Sequence, residues 1–384
     1  MAQKNIVILG STGSIGVNTL KVCGRYPDRF RVVGLSCYSN FELFEKQVRQ
    51  FEPRFIALTE QGIARFKKLL TGKRVRIFRV EESLAEMVSA READVVVIGM
   101  RGSAALEPFL AAVRCGKTVA PANKEALVIA GDHLMKEARK NGARIIPIDS
   151  EQSAIFQCLE GRRSQPIRRI LLTASGGALR KLPKSRFDSL TVKQILSHPR
   201  WKMGEKITVD SATLLNKGFE VIEAMRLFDQ PVDKIEVVIH PQAIIHSMVE
   251  FDDGSVIAQM GVTDMKLPIQ YALTYPQRLP TGLKPLDFAE LKKLTFERPD
   301  FKKFPLLELA FHVARKGGTL PSVLNAADEM AVEAFLNKKI RFTHISRIVE
   351  KVVMKHKINR KPDLEDILAA DRWAREEAGQ LLRK

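Results

Sequence analysis

The sequence has few cysteines and no long apolar run, and both features limit the classes of protein to which it can belong. A membrane-spanning helix needs about 20 consecutive apolar residues, and no stretch reaches that length. The four cysteines, Cys23, Cys37, Cys115 and Cys158, are scattered and form no Cys-x-x-Cys pair. They indicate a reducing compartment and argue against thiolate metal sites. Because the first residues run into a strand pattern without a signal or transit segment, we expect a cytoplasmic protein that contacts no membrane.

Acidic residues are also scarce relative to basic ones. Lysine and arginine number 62 against 44 aspartates and glutamates, which gives a formal net charge of +18. Such a field attracts anions, either nucleic acid or phosphorylated small molecules, and the alternative is a generally basic surface. The basic residues are spread along the chain without a polybasic tail or an aromatic-interleaved basic motif. This distribution argues against a nucleic-acid partner.

The chain is long enough for two or three domains, and its first 149 residues have the pattern of one of them. Short apolar strands alternate there with amphipathic segments, such as a helix over Asn123–Asn141 that ends before Gly142. This alternation predicts an α/β fold with a doubly wound, Rossmann-like parallel sheet. The predicted strands are Asn5–Gly10, Arg31–Ser36, Phe55–Leu58, Asp94–Ile98, Thr118–Ala120 and Arg144–Ile148.

The pattern changes after residue 149. Better alternating strands predict a central α+β region with a mixed or antiparallel sheet, and Asp253-Gly254 between two of them indicates a type I′ hairpin. We predict a helix over Val209–Leu227, a proline-rich linker at 275–302 and then a C-terminal helical bundle. The predicted domains are therefore 1–149, 150–274 and 303–384. The predicted strands of the central region are Pro166–Thr173, Ile235–Ile239, Ser247–Asp252 and Ser255–Met260, and the C-terminal helices are Pro305–Arg315, Ser322–Asn337, Thr343–His356 and Leu364–Leu382.

A glycine-rich turn follows the first predicted strand. The segment Gly10–Gly16 has the spacing G-x-x-G-x-x-G at a strand-to-helix junction. Glycines let the backbone approach a pyrophosphate, and the helix N-terminus offers free N–H groups. Its position after the first strand of a βαβ series predicts a dinucleotide site, whereas the alternative is a tight turn that packs helix on strand.

The end of the second predicted strand selects between dinucleotides. In NAD-binding sheets an acid at this end bonds the ribose 2′-hydroxyl. Here the end reads Cys37-Tyr38-Ser39-Asn40, and no carboxylate occurs before Glu42. Without that acid a 2′-phosphate is not repelled, so we expect NADP rather than NAD.

Two acids flank a serine at the end of the sixth predicted strand. Asp149, Ser150 and Glu151 lie at the sheet edge where ligands bind in doubly wound folds. Carboxylate oxygens suit a hard cation such as Mg²⁺ or Mn²⁺. Capping of the following helix by Asp149 or Ser150 is an equally good interpretation of this motif alone.

A second set of polar residues lies in the predicted helix over Val209–Leu227. Asn216, Glu220 and Glu223 follow helical spacings of four and three, so they share a face that carries an amide and two acids. This face favours the metal interpretation. The alternative for Glu223 is a surface ion pair with Arg226.

Hydroxyl, amide and ammonium groups in two segments suit a phosphate. Ser211, Asn216 and Lys217 together could form an oxyanion cradle. The segment Thr173–Gly177, after a strand, adds the hydroxyl of Ser175 and free backbone N–H groups. The alternative is that Asn216 and Lys217 form an exposed helix face.

Three further features are ambiguous on their own. The loop His198–Gly204 places Trp201 between basic residues, which predicts a mobile flap, whereas the alternative is an anchoring Trp. The segment Ala122–Glu125 lies on the predicted ligand edge of the parallel sheet. His240 and His246 are more simply interpreted as packing residues with satisfied hydrogen bonds.

Together these segments resemble the 1-deoxy-D-xylulose 5-phosphate reductoisomerases, which act second in the non-mevalonate isoprenoid route. The resemblance runs nearly end to end and is most specific over the stretch from His198 to Glu220. It is carried by Gly10–Gly16, Ala122–Glu125, Asp149–Glu151, Thr173–Gly177, His198–Glu220, Ile239–Val249 and Leu324–Phe335.

The resemblance implies a role for each candidate residue. Asp149, Glu151 and Glu220 match the family's metal ligands. The residues that match substrate and phosphate contacts are Lys124, Ser150, Glu151, Ser175, His198, Ser211, Asn216, Lys217 and Glu220, of which Lys124, Glu151, His198 and Glu220 are expected to act in catalysis. The residues that match NADPH contacts are Thr12, Gly13, Ser14, Ile15, Asn40, Asn123, Glu125 and Gly204. In the flap, Trp201 and Met203 are expected to close over the substrate.

The sequence departs from the family pattern in three places. Cys37-Tyr38 replaces a small Ala-Gly pair, Gln152 stands where some members carry histidine, and Ala178-Leu179 replaces a Pro-Phe pair. The first departure puts the adenosine end of the cofactor site in question. None of the three touches the expected metal ligands.

The resemblance also implies the reaction. The metal binds the ketone and hydroxyl oxygens of the substrate, the carbon skeleton breaks and rejoins, by a retro-aldol and aldol pair or an α-ketol shift, and NADPH reduces the branched aldehyde to 2-C-methyl-D-erythritol 4-phosphate. NADPH binding is expected in 1–149, and metal binding, catalysis and homodimer formation in 150–274. The alternatives are an NADP-dependent dehydrogenase without isomerisation and an NADP-sensing or nucleic-acid-binding regulator.

Overall fold

The structure, a computed structural model, describes residues 3–67, 72, 74–162, 165–197 and 203–383. The chain divides into two compact units. The first contains residues 1–126, 132–153 and 264–283, and the second contains residues 127–131, 154–263 and 284–384. The domain boundaries expected at residues 149, 274 and 302 stay a prediction. No helix in the described ranges combines the length and apolarity that a bilayer span requires.

The first unit is built on a parallel sheet of seven strands. Its strands are β1 (Lys4–Leu9), β2 (Phe30–Cys37), β3 (Phe55–Leu58), β4 (Arg76–Arg79), β5 (Val95–Ile98), β6 (Thr118–Pro121) and β7 (Arg144–Ile145). Their order is β4-β3-β2-β1-β5-β6-β7, and every neighbouring pair is parallel. The doubly wound sheet predicted from the sequence is therefore confirmed. Strand β4 was not predicted, and β7 is shorter than predicted.

Burial explains which strands could be recognised. The apolar residues of β1 and β5 are almost wholly buried, as expected where helices cover both faces of a parallel sheet. The helices of this part of the chain are α1 (Ser14–Arg25), α2 (Phe41–Phe51), α3 (Glu60–Phe66), α4 (Leu84–Ser89), α5 (Leu106–Arg114) and α6 (Glu125–Lys140). Because the strand order reverses at β1, the carboxyl ends of β1 and β5 flank the crevice where such sheets bind ligands.

The second unit contains a mixed sheet of four strands. They are β8 (Ile167–Ala174), β9 (Ile235–Ile239), β10 (Ile245–Phe251) and β11 (Val256–Met260). The order is β11-β10-β8-β9; β8 and β9 are parallel, and the other pairs are antiparallel, so the predicted mixed sheet is confirmed. The type I′ turn was wrong, because only Gly254 of the central pair has a positive φ, of 83°.

The remaining helices complete the fold. They are α7 (Ser150–Cys158), α8 (Val192–Ile195), α9 (Glu205–Thr213), α10 (Leu215–Phe228), α11 (Lys266–Thr274), α12 (Phe288–Leu291), α13 (Pro305–Lys316), α14 (Leu320–Leu336), α15 (Phe342–Lys355) and α16 (Leu364–Leu382). The single helix predicted over Val209–Leu227 was wrong. It is two helices, α9 and α10, separated at Leu214, whose φ is 60°.

The four predicted C-terminal helices are confirmed as α13 to α16, with ends within two residues of the prediction. Helix α14 contacts α13, α15 and α16, and it also contacts α9. Its buried apolar residues, such as Leu324 and Phe335, belong to one hydrophobic core with those of β8, α10 and α13. The C-terminal helices are therefore part of the same compact unit as the mixed sheet.

Candidate active site

The glycine-rich turn between β1 and α1 is built for close backbone approach. Gly10 has a φ of 78°, and a β-carbon at Gly16 would lie 2.4 Å from the Cα atom of Ser11. Both positions therefore require glycine. Gly13 is the N-cap of α1 and makes no side-chain capping bond, so the first N–H groups of α1 suit an anion. The predicted cofactor residues Thr12, Gly13, Ser14 and Ile15 all lie in this turn or in the first turn of α1.

The end of β2 lies beside this turn. The buried Sγ atom of Cys37 is 3.7 Å from the Oγ1 atom of Thr12, and burial raises the pKa of the Cys37 thiol. Tyr38 follows and is 69% exposed. Asn40 is the N-cap of α2, and its Oδ1 atom accepts the N–H of Leu43 at 3.2 Å. The side chain of Asn40, for which a cofactor contact was predicted, therefore also caps a helix.

Asn123, at the end of β6, makes bonds that hold a loop. Its Nδ2 atom donates to the carbonyl oxygens of Met100 at 3.0 Å and Gly102 at 3.1 Å. Its Oδ1 atom accepts the N–H of Ala126 at 2.9 Å. These bonds fix the loop after β5 to the first turn of α6, which begins at Glu125. The cofactor contacts expected of Asn123 and Glu125 stay a prediction.

Lys124 and Asp149 form an ion pair after the ends of β6 and β7. The Lys124 Nζ atom lies 2.6 Å from the Asp149 Oδ2 atom, and Lys124 is buried. The carbonyl of Asp149 accepts the N–H of Ser153 at 2.8 Å, which is the backbone bond of an N-cap residue. Ser150 Oγ donates to Glu151 Oε2 at 2.5 Å. Asp149 therefore has the backbone position of an N-cap residue of α7, while its carboxylate contacts Lys124. Helix capping and metal binding are thus compatible interpretations of this motif.

Glu220, in α10, is 1% exposed and receives two donors from its own helix. Asn216 Nδ2 donates to one carboxylate oxygen at 2.6 Å, and Lys217 Nζ donates to the other. Because Lys217 is buried, its interpretation as part of an exposed helix face was wrong. Glu223 is also 1% exposed, so its interpretation as a surface residue was wrong as well.

Three carboxylates form a group that suits a metal ion. Asp149, Glu151 and Glu220 each offer one oxygen, and these oxygens all lie within 4.8 Å of one another. Oxygens on opposite sides of one Mg²⁺ are about 4.2 Å apart, because each Mg–O distance is about 2.1 Å. The separation is thus close to what one ion requires. Oxygen donors without sulfur are the set that Mg²⁺ and Mn²⁺ prefer.

The two segments expected to bind phosphate meet in the second unit. Gly176 and Gly177, after β8, have φ values of 88° and 66°. A β-carbon at Gly177 would lie 2.4 Å from the carbonyl oxygen of Ser211 in α9, so the glycine permits close contact between the turn and the helix. The Gly177 N–H donates to Ser175 Oγ at 3.4 Å. The turn that carries Ser175 is therefore adjacent to Ser211, and Asn216 and Lys217 lie in the next helix.

The remaining candidates have other positions. His198 and Trp201 lie outside the described residues, so their expected roles stay predictions. Gly204 is the N-cap of α9 and makes no side-chain capping bond. His240 is fully buried, with Nδ1 3.0 Å from the carbonyl oxygen of Thr295 and Nε2 accepting the N–H of Ile244 at 3.2 Å. The packing role expected of His240 is confirmed.

One buried polar cluster had no counterpart in the sequence analysis. Lys206 Nζ lies 2.6 Å from Asp210 Oδ2 in the same helix and 2.7 Å from Asp328 Oδ2 in α14. The spacing of four between Lys206 and Asp210 is a helical ion-pair signal that could have been noticed. Nothing in the sequence pairs either residue with Asp328, because that contact depends on the packing of α9 against α14.

Comparison with known families covers most of the chain. A family model described as 1-deoxy-D-xylulose 5-phosphate reductoisomerase matches residues 6–131, and its C-terminal domain model matches residues 145–228. A DXP reductoisomerase C-terminal domain model matches residues 260–377. The reductoisomerase of Pelotomaculum thermopropionicum is 51% identical over 383 residues, which cover 99% of each chain. That of Trichlorobacter lovleyi is 50% identical over 374 residues, which cover 97% of this chain and 96% of the relative.

The chain belongs to the 1-deoxy-D-xylulose 5-phosphate reductoisomerase family. The resemblance seen in the sequence is therefore confirmed, and with it the enzyme class.

Solved reductoisomerase structures share the whole fold. One, in complex with NADPH, fosmidomycin and magnesium, has a TM-score of 0.95 and 39% identity over 99% of this chain and 98% of its own. The reductoisomerase from Zymomonas mobilis in complex with NADPH has a TM-score of 0.92 and 40% identity over 100% of both chains. The arrangement of a parallel sheet, a mixed sheet and C-terminal helices is therefore that of the reductoisomerase family.

Proposed function

We propose that this chain converts 1-deoxy-D-xylulose 5-phosphate (DXP) to 2-C-methyl-D-erythritol 4-phosphate, with NADPH and a divalent metal ion. The observation that carries the proposal is the group formed by Asp149, Glu151 and Glu220, whose oxygens lie within 4.8 Å of one another in a chain of the reductoisomerase family. A dehydrogenase that only transfers hydride needs no such group. A rearrangement at adjacent ketone and hydroxyl carbons does, because both oxygens must be held and polarised together.

The three carboxylates fit Mg²⁺ or Mn²⁺ by donor type and spacing. When bound, the ion supplies Lewis-acid polarisation of the substrate's ketone and hydroxyl oxygens. Asp149 and Glu151 contribute their oxygens from the start of α7, and Glu220 contributes its oxygen from within α10. A magnesium complex of a structural relative at 39% identity supports Mg²⁺, and the donor set accommodates Mn²⁺ equally well.

Two buried lysines balance the negative charge of this group. Lys124 contacts Asp149 and Lys217 contacts Glu220, so each ammonium offsets one carboxylate. We assign to Lys124 the neutralisation of charge that develops on the substrate oxygens during rearrangement. Asn216 orients Glu220 through a bond of 2.6 Å to one oxygen.

The substrate phosphate is assigned to the turn after β8 and the two helices that follow. Ser175 and Ser211 supply hydroxyl donors, and the positive-φ glycines of the turn allow backbone N–H groups to face an anion. Asn216 and Lys217 add an amide and an ammonium. The contact between Gly177 and Ser211 supports convergence of these segments on one ligand.

The cofactor is assigned to the crevice at the ends of β1 and β5. The turn Gly10–Gly16 suits the pyrophosphate, and the first N–H groups of α1 face no capping side chain. NADPH supplies the hydride for the reduction step. The acid-free end of β2 supports NADP over NAD, and NADPH complexes of two structural relatives agree with it.

The proposal also includes the cellular location and the oligomeric state. We assign the enzyme to the cytoplasm, on the evidence of scattered, unpaired cysteines, of which Cys23, Cys37 and Cys158 are buried. We also propose a homodimer, which the family resemblance implies. Sedimentation equilibrium measures the dimer directly, and a monomer at all accessible concentrations would contradict it.

A single assay tests the central proposal. NADPH consumption is followed by the absorbance of the cofactor with DXP and Mg²⁺, then with EDTA in place of the metal, and then with Mn²⁺. We expect turnover that EDTA abolishes and that either metal restores. Turnover that persists in EDTA would refute the metal assignment, and absence of turnover with either metal would refute the function.

A further inference from the structure

A buried cluster of one lysine and two aspartates joins α9 to α14. Lys206 contacts Asp210 at 2.6 Å and Asp328 at 2.7 Å, and the ammonium also lies 4.8 Å from the ring centre of Phe219. Asp328 is 0% exposed and Asp210 is buried. No residue of α14 is among the candidate site residues, so the proposed reaction leaves this cluster unexplained.

Packing two helices through buried charges has a high cost in desolvation free energy. Removing charges from water costs several kcal/mol per ion, and apolar residues of similar size often pack as well or better. Burial raises the pKa of the Asp328 carboxyl, and Glu329 adds to the rise, while the Lys206 ammonium and a hydrogen bond with Asp210 oppose it. Such a pair of acids on one ammonium fixes distances and directions that an apolar contact would leave variable.

Helix α9 contacts α8, α10, α13 and α14, but it has few buried apolar side chains to fix its position. It is nine residues long, and its buried residues are Thr208, Val209, Asp210, Ala212 and Thr213, of which only two are apolar. Yet this helix, which follows its N-cap Gly204, carries Ser211, whose carbonyl oxygen faces Gly177 in the turn after β8. A small rotation of α9 would therefore move Ser211 relative to Ser175.

We infer that Lys206 and Asp328 are positioning residues, which hold α9 against α14 so that Ser211 stays in place to bind the substrate phosphate. This inference rests on the proposed function and extends it to the C-terminal helices. Those helices then take part in substrate binding through α14, although none of their residues is among the candidate site residues. The Asp328 carboxyl acts as an oxygen acceptor for Lys206.

The test compares variants that differ in which charged or hydrogen-bonding groups remain in the cluster. Lys206→Met removes the ammonium, and Asp328→Leu removes the acceptor at similar volume. Asp328→Asn keeps an oxygen for Lys206 and offers an N–H to Asp210, as a protonated acid would. Arg375→Met is the matched control, because Arg375 pairs with Glu329 of α14 at 2.6 Å and with Asp371 of its own helix.

Three constants are measured for each variant: KM for DXP, KM for NADPH, and the inhibition constant of inorganic phosphate against DXP. For Lys206→Met and Asp328→Leu, we expect the DXP and phosphate constants to rise together by about tenfold or more, since small displacements of positioning groups cost up to about 100-fold. The NADPH constant should stay within about twofold. Asp328→Asn and Arg375→Met should stay within about twofold of the wild type in all three.

The inference is overturned if Lys206→Met and Asp328→Leu leave the phosphate constant unchanged, or if the NADPH constant rises as much. An equal effect of Arg375→Met would also overturn it, since general loosening of the helices would then be the cause. If Lys206→Met does not fold, Asp328→Leu carries the test alone, and unchanged phosphate inhibition in that variant counts against positioning; Lys206→Arg, which keeps the charge, should stay near the wild type. Failure of the proposed function would appear separately, as a wild-type enzyme that does not consume NADPH with DXP.

Discussion

Replacing Glu220 with glutamine would test the metal group most directly. The substitution keeps the size of the side chain and one oxygen, and it removes one negative charge from the three carboxylates. Glu220 is 1% exposed and accepts bonds from Asn216 and Lys217, so the new amide would enter a site already arranged for two donors. One amide N–H would then face a donor, and the buried Lys217 ammonium would lose its charged partner.

The substitution has two effects of different kinds, one on stability and one on metal affinity. Breaking a buried ion pair costs about 3–5 kcal/mol of stability, because the remaining charge is left uncompensated. Removing a group that merely supports a metal ligand costs about 10–100-fold in metal affinity, so loss of a charged ligand itself should cost at least about 100-fold, or about 2.8 kcal/mol. Both effects are expected for Glu220→Gln, and only the second depends on the metal assignment.

Glu223→Gln is a matched control for the loss of a buried negative charge from the same helix. Glu223 lies one turn further along α10 and is equally buried, but it is not part of the carboxylate group. Turnover is measured against Mg²⁺ concentration, and stability is measured by urea unfolding. We expect the half-saturating Mg²⁺ concentration to rise at least about 100-fold for Glu220→Gln and to stay near the wild-type value for Glu223→Gln. A Glu220→Gln enzyme with the wild-type Mg²⁺ requirement would refute the assignment, whatever its stability.

Other changes give four shorter expectations. Lys217→Ala should raise KM for DXP at least about tenfold and lower kcat, because a charge-assisted bond is worth about 1.5–3 kcal/mol; unchanged kinetic constants would restrict Lys217 to its contact with Glu220. Gly16→Ala should weaken NADPH binding and stability together, since its β-carbon would lie 2.4 Å from the Cα of Ser11, and wild-type NADPH affinity in a fluorescence titration would contradict this. The enzyme should have a higher kcat/KM for NADPH than for NADH, because the end of β2 carries no acid, and equal values would show that this end does not select. Since burial raises the folded pKa of Asp328 above 3.8, the contribution of this group to stability should fall as pH rises from 3.8 to the folded pKa, and urea unfolding of Asp328→Asn should lack that fall.

The fold was largely predictable because the sequence patterns of single strands and helices agree with their places in the tertiary structure. Strands such as β5 are continuous apolar runs that only a sheet covered on both faces explains, and the helix ends carry ordinary stop signals. Strand β4 escaped because its sequence, Arg-Ile-Phe-Arg, has one buried residue, Phe78, at the edge of the sheet. An edge strand needs apolar residues on less of its surface, so its pattern is weak.

The candidate site was predictable where its residues share one element. Asn216 and Glu220 are four residues apart in α10, so their contact follows from helical geometry alone. Contacts between distant segments were not derivable in this way. The approach of Gly177 to Ser211, and of Lys206 to Asp328, depends on how β8, α9 and α14 pack, and the grouping of Asp149 and Glu151 with Glu220 came from the family resemblance rather than from spacing.

The break between α9 and α10 shows why a correct periodicity can still give a wrong helix. No glycine or proline occurs between Glu205 and Lys217, so the sequence carries no breaker. A left-handed residue such as Leu214 costs about 1–2 kcal/mol, but burial of its side chain returns about 1.5–3 kcal/mol, and Thr213 Oγ1 accepts the freed N–H of Leu215 at 3.3 Å. In one straight helix, Ser211 and Lys217 would point about 120° apart, since six residues turn through about 600°. The break removes that restriction, so the local strain at Leu214 is compatible with the proposal that both residues bind one phosphate.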